Sequence, residues 1–144
     1  MSEASSTELP EELISAYRAT DYVVFTDPEI RLHIDKHNPQ LAKLLCEHDC
    51  SAATFITAFN PFGEQLSETE NKQANDSLEV HLKKLELIYF EGEGRGSEGD
   101  WPPEPSFLVL GIDRGEASNL GRIFQQNAIV WAGAGANPEL ILLR

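Results

Sequence analysis

Two helix starts punctuate the second half of this chain. Ser67 stands three residues before Glu70 and Asp113 three before Glu116, the spacing of a capping box, in which two side chains satisfy N–H groups that a helix opening leaves bare. Each start follows an apolar, β-prone run, "AATFITAF" before the first and "SFLVLGI" before the second. Each helix is in turn followed by another such run, "LIYFE" and "AIVWAGAG". Residues 51–133 therefore spell β-α-β-β-α-β, the split unit of ferredoxin-like sheets. With right-handed crossovers, the "AATFITAF" and "LIYFE" strands run parallel, "SFLVLGI" lies antiparallel between them, and "AIVWAG" packs outside the first. The expectation is an α+β fold with a ferredoxin-like core, and the alternative is a three-layer α/β/α arrangement on a mixed sheet.

The flanks read as an N-terminal α-β-β-α extension and one final strand. A helix from about Pro10 to Ala19 puts Leu13, Ile14 and Tyr17 on one face, with proline tolerated in its first turn. "YVVF" and "IRLHI" are strands joined by the turn "TDPE". Asn38 and Pro39 form a cap and first-turn pair for a helix carrying Leu41, Leu44 and Leu45. The helix after Ser67 turns Ala74, Leu78, Leu82 and Leu85 inward, and "ELILLR" ends the chain as a strand. Residues 1–8 are polar and serine-rich and read as a disordered tail, leaving 9–144 as a single domain.

Charge narrows the partners. Twenty-four acidic against eleven basic residues give a formal net charge of -13, which repels phosphate backbones and anionic lipid surfaces. Neither nucleic acid nor a membrane is expected as a partner. No apolar stretch approaches the roughly 20 residues that span a bilayer, and "MSEASSTELPEEL" has no signal-peptide pattern, so a cytoplasmic protein is expected. Two cysteines, Cys46 and Cys50, agree with a reducing compartment.

The topology brings three polar segments to one end of the sheet: residues 60–71, 91–105 and 125–127. Asn60 closes the first strand before a proline, and Asn71 places an amide on the inward stripe of the following helix. A buried amide must be paired, since an unmet one costs on the order of 1 to 3 kcal/mol. Asn71 either ties down the loop "FNPFGEQ" or faces a ligand. Glu104, with Trp101 nearby in the Gly/Pro-rich "GEGRGSEGDWPPEP", supplies the one carboxyl candidate for acid–base work. Gln126 and Trp131 stand at and beyond the helix-to-strand junction. The expected ligand-binding set is thus Asn60, Asn71, Trp101, Glu104, Gln126 and Trp131, with no catalytic residue beyond Glu104 as a weak candidate.

Other chemistries find little support. The glycines make neither a dinucleotide fingerprint nor a P-loop, and no nucleophile motif occurs. The carboxylates Glu91, Glu93, Glu98, Asp100 and Glu104 are of the type that holds a hard cation, or they line a solvated loop. "CEHDC" lacks the second ligand pair of a closed zinc site. No metal and no cofactor are expected.

The chain resembles a bacterial family known as domain of unknown function 3293 (DUF3293). The resemblance rests on "YRATDYVV", "TAFNP", the Asn71 helix, "PEPSFLVLGI" and "FQQNAIVW". It implies a stand-alone bacterial cytoplasmic protein and points to the Asn60, Glu104 and Gln126 neighbourhood, without an activity or catalytic residues to carry over. Two functional expectations follow: a small polar ligand bound at the sheet end, or an acidic protein-interaction module, including a homodimer through an edge strand such as "IRLHI" or "ELILLR". Whether the protein is an enzyme stays open at this level.

Overall fold

The computed structural model of the chain describes residues 7–96 and 102–144. In order, the elements are α1 (Glu11–Ala19), β1 (Asp21–Val24), β2 (Ile30–Leu32), α2 (Pro39–Glu47), β3 (Ala53–Ile56), α3 (Glu68–Lys84), β4 (Ile88–Arg95), β5 (Glu104–Leu110), α4 (Arg114–Ile123), β6 (Ala128–Ala132) and β7 (Glu139–Leu142). A short turn at Pro61–Gly63 separates β3 from α3. Among the described residues, four helices on a seven-stranded sheet make an α+β protein.

The strand order is β2-β1-β4-β5-β3-β6-β7, and every pairing is antiparallel. β5 lies between β4 and β3, and β6 lies outside β3. The mixed-sheet alternative is therefore not what forms: β3 and β4 point the same way, but β5 keeps them from being neighbours. The N-terminal hairpin extends the sheet from β4, and β7 extends it from β6.

Both capping boxes form, with Ser67 Oγ accepting from the Glu70 N–H and Asp113 Oδ1 from the Glu116 N–H. Asn38 caps α2 by accepting from the Leu41 N–H at 2.9 Å. Each sequence signal works because the cap needs only residues within one helical turn. The inward stripe of α3 departs from expectation at its end. Asn71, Asn75, Leu78 and Leu82 are buried, whereas Leu85, expected inside, is 53% exposed. α3 ends at Lys84 with Leu85 as its C-cap, and it is Leu87, past the left-handed Glu86, that packs against the core.

A second correction concerns the glycine-rich segment. Residues 92–95, read as loop, continue β4, because β1 and β5 supply hydrogen-bonding partners on both sides, as far as the Asp21–Arg95 and Gly94–Glu104 pairs. Glycine serves here by its lack of a side chain. A Cβ on Gly92 would overlap the carbonyl of Val23, so β1 can approach this closely only because none is present.

Side chains alternate between two cores. On one face Phe107 and Val109 of β5 pack with Leu78 and Leu82 of α3 and Ala117 and Leu120 of α4. On the other, Leu108 and Leu110 pack with Leu41, Leu44 and Leu45 of α2 and with Tyr22, Val24, Ile30 and Leu32 of the hairpin. The sheet curls around this second core until its two ends meet. Asp35 N–H donates to Pro138 O at 2.7 Å and Asn38 N–H to Ala136 O at 2.9 Å, joining the segment after β2 to the β6–β7 turn.

Candidate functional site

Residues 57–71 and 125–127 meet beyond the end of β3, with Pro105 of the third polar segment beside them, and amides hold them. β3 stops at Ile56, so the chain beyond it has lost its ladder partners and its polar backbone needs others. Asn71 supplies one pair: its Oδ1 accepts from the Asn60 N–H and its Nδ2 donates to Asn60 Oδ1, both at 2.8 Å. Asn60 Oδ1 also accepts from the Leu66 N–H at 3.1 Å. One turn along α3, Asn75 accepts from the Ala58 N–H at 2.8 Å and donates to Pro105 O at 2.9 Å. Gln126 donates to the carbonyls of Phe59 and Phe124, each at 3.2 Å. Asn60, Asn71 and Gln126 are thus engaged with the loop itself.

The other expected residues part company. Trp131 lies toward the opposite end of the sheet, where its Nε1 donates to Ile112 O at 3.0 Å and the Arg114 guanidinium stacks on its ring at 5.5 Å. Trp101 falls outside the described residues, as do Glu98 and Asp100. Glu104 opens β5 on the face of Ser106, Leu108 and Leu110, with the sheet between its side chain and Asn71.

On that face Glu104 meets residues from distant parts of the chain. Opposite it in β4 is Gly94, which presents no side chain. The hydroxyl-bearing neighbours are Tyr17 of α1 and Tyr22 of β1, and Tyr22 Oη donates to the Tyr17 carbonyl at 2.6 Å. Half-buried in this setting, the carboxyl is pushed up from 4.5 to about 7 by burial. Among the described residues Glu104 joins no ion pair. Burial also raises Tyr17, partly offset by the Asn127 amide beside its hydroxyl, and the nearby Glu104 charge adds to the rise. Tyr22 is raised further, again by burial first.

Asn127, buried just before β6, links this pair to the strained loop. Its Oδ1 accepts from Arg144 Nη1 at 3.1 Å, and the same guanidinium lies 4.4 Å from the Phe62 ring centre. Asn60, Phe62 and Gln125 all have positive φ, 46°, 54° and 57°, and the Phe62 N–H donates to Gln125 O at 2.6 Å. Left-handed non-glycine residues cost of order 1 to 3 kcal/mol each and gather where surrounding structure imposes them. Tyr17, Asn127 and Arg144 are the members that sequence reading missed as a group. Tyr17 reads as the inward face of α1, and Arg144 stands at the end of a strand. Only Asn127, beside Gln126, carried a local signal.

Chemically, the cluster offers a carboxyl able to hold or release a proton near neutrality, a neutral phenol and an amide. A group of three or more His, Cys, Asp or Glu side chains arranged for a metal ion does not occur among the described residues. No helix among them is long and apolar enough to cross a membrane.

Fold and site together describe an α+β protein with an all-antiparallel curled sheet and a shielded carboxyl at one end of it. The chain belongs to the family described as protein of unknown function DUF3293, whose sequence model matches residues 56–129. That span runs from the end of β3 into β6 and includes Asn60, Asn71, Glu104 and Asn127. No curated protein and no solved structure matches the chain.

Proposed function

We propose that the protein binds a small polar ligand at the sheet end where α1 covers Glu104, with the Glu104 carboxyl, the Tyr17 hydroxyl and the Asn127 amide as its contacts. Asn60, Asn71 and Gln126 form the frame that fixes the adjoining loop. The observation that carries this reading is Glu104 itself: a half-buried carboxyl held near neutrality with no ion pair among the described residues. Such a group is costly to the fold, and strongly perturbed carboxyls gather at functional sites. Protonated it donates, ionised it accepts, so it suits a ligand edge carrying both donors and acceptors, such as an amide or a nucleobase-like ring. The strand order β4-β5-β3-β6 supports reading the underlying unit as ferredoxin-like.

The test is a thermal-shift screen of polar metabolites and nucleotides on the wild type, Glu104→Gln and Tyr17→Phe. A ligand at a hundred times its dissociation constant stabilises the fold by about 2.7 kcal/mol. A stabilising compound whose effect shrinks in both variants is expected. A panel with no hit, or hits that neither variant diminishes, defeats the reading. The second reading, an acidic interaction module, is favoured by β2 and β7 standing as the terminal strands of the sheet. A monomer by light scattering at high concentration counts against its homodimeric form.

A further inference from the structure

Of the four described helices, α1 is the least anchored. α2, α3 and α4 each bury several of their own residues, whereas α1 buries none, and its inward Leu13, Ile14 and Tyr17 are only half-buried. Polar contacts hold it instead. At its C-terminal end Arg18 pairs with Asp35 at 2.9 Å, both exposed, and Tyr22 Oη donates to Tyr17 O. Ahead of its first turn Thr7 Oγ1 donates to Arg144 O at 2.6 Å, Glu8 lies 3.8 Å from the Arg144 guanidinium, and Leu9 alone is buried. Exposed ion pairs of this kind add little stability. A single residue, Thr20, joins α1 to β1. At 9 residues α1 is shorter than the roughly 12 to 15 that an isolated helix needs in water, so it stays helical only while docked.

Beneath α1 lies a row across three strands. Tyr22 of β1, Gly94 of β4 and Glu104 of β5 are cross-strand partners and project to one face. Gly94 leaves the middle of the row empty, and Glu104 shares that space with the Tyr22 and Tyr17 phenols. The charged groups on the surrounding elements are turned away or already paired. Asp21, Glu93 and Arg95 alternate to the other face of β1 and β4, where Arg95 pairs with Glu93 and Asp21 with Arg31 and His33. Arg144 is bound to Asn127 and Glu8, Arg18 to Asp35, and Glu11 and Glu12 stand exposed on α1. Among the described residues no cation pairs with the Glu104 carboxyl, and burial raises it from 4.5 to about 7.

We infer that α1 is a hinged cover over this face, docked while Glu104 holds its proton and released when Glu104 ionises, so that proton loss opens this end of the sheet. Release lets water reach the carboxylate. It gives up the surface ion pairs, the burial of Leu9 and the half-buried side of one short helix, while both cores keep their packing. Above pH 4.5 the undocked form loses the proton that the docked form keeps, so docking weakens as pH rises and the effect levels off above about 7. This motion would regulate the site proposed above and rests on that reading for what the opening admits, whereas the motion itself rests on α1 and Glu104 alone.

The test is hydrogen exchange of the full chain at about pH 5 and about pH 8, read by mass spectrometry as protection relative to the intrinsic rate at each pH. Return of the carboxyl to 4.5 on release corresponds to a fall in protection of about seventyfold over this interval, and the α1 amides are expected to lose at least about tenfold. Glu104→Gln is expected to show equal α1 protection at both. Arg18→Gln, which removes the Asp35 clamp, is expected to lower α1 protection at both while keeping the fall. Ionisation of Glu104 also lowers global stability, so the measurement is repeated in about 1 M urea. The α3 amides around Leu78 and Leu82 then lose protection, and those of α1 are expected to change little, because undocking one helix exposes little surface. A fall of less than about tenfold, a fall that persists in Glu104→Gln, or α1 amides as sensitive to urea as those of α3 overturns the inference. The ligand screen decides the other question: a hit beside a pH-independent α1 keeps the ligand reading and overturns this one, and a pH-dependent α1 without any hit does the reverse.

Discussion

Replacing Glu104 by glutamine tests the central feature directly, because it keeps the side chain's size and removes only its ionisation. In the folded protein the carboxyl titrates at about 7, against an ordinary value of 4.5. At 1.36 kcal/mol for each pH unit, that difference corresponds to about 3 kcal/mol of penalty on the charged form. Above pH 4.5 the unfolded chain releases this proton while the folded chain retains it. The folded state then binds more protons, so this residue's contribution to stability falls as pH rises, until both states are ionised above about 7. Glu104→Gln lacks that slope. Tyr17 and Tyr22, both raised above their ordinary value, stay neutral throughout the window and add no slope of their own. The assay is urea denaturation of wild type and variant at intervals from about pH 4 to about pH 8, read as the difference between them. The variant is expected to gain on the wild type by about 3 kcal/mol across that range, with most of the gain between 4.5 and 7. A difference that stays flat with pH refutes the claim that burial shifts Glu104.

Three further substitutions probe the frame. Asn71→Ala leaves the Asn60 N–H and carboxamide without their partner, and a loss of about 2 to 3 kcal/mol is expected in chemical denaturation. Gly92→Ala places a methyl on the Val23 carbonyl between β4 and β1, and a loss of about 3 kcal/mol or more is expected, with hydrogen exchange showing β1 and β2 loosened first. Gln125→Gly, at φ 57° just past α4, relieves a left-handed side chain where glycine is the usual choice, and a gain of about 1 kcal/mol in thermal or urea unfolding is expected.

Helix starts were the most legible part of the fold. The caps at Asn38, Ser67 and Asp113 each form as their spacing requires, since a cap closes within a single turn and owes little to distant residues. The candidate site was legible as a neighbourhood rather than as a set of contacts. Asn71 stood out as an amide on an apolar stripe and Asn60 as a strand end before proline, and their mutual hydrogen bonds account for both. Asn75 escaped notice on the same stripe because Ala74, its neighbour, satisfied the apolar count. Trp131 looked like a site residue only because the end of β6 on which it falls cannot be judged without the register to β3.

By itself, then, the sequence determined the identity and order of most elements and the alternation that sorts their side chains between two faces. Those properties follow from capping, period and turn chemistry, all local in the chain. Tertiary structure alone decided that residues 92–95 are strand, because glycines have little preference of their own and β1 and β5 supply their partners. It alone decided the curl that brings the segment after β2 to the β6–β7 turn. It also decided the character of Glu104, whose carboxyl is ordinary in the unfolded chain and becomes unusual only when Tyr17 and Tyr22 arrive from the other end of the sequence and exclude the water that would solvate its charge.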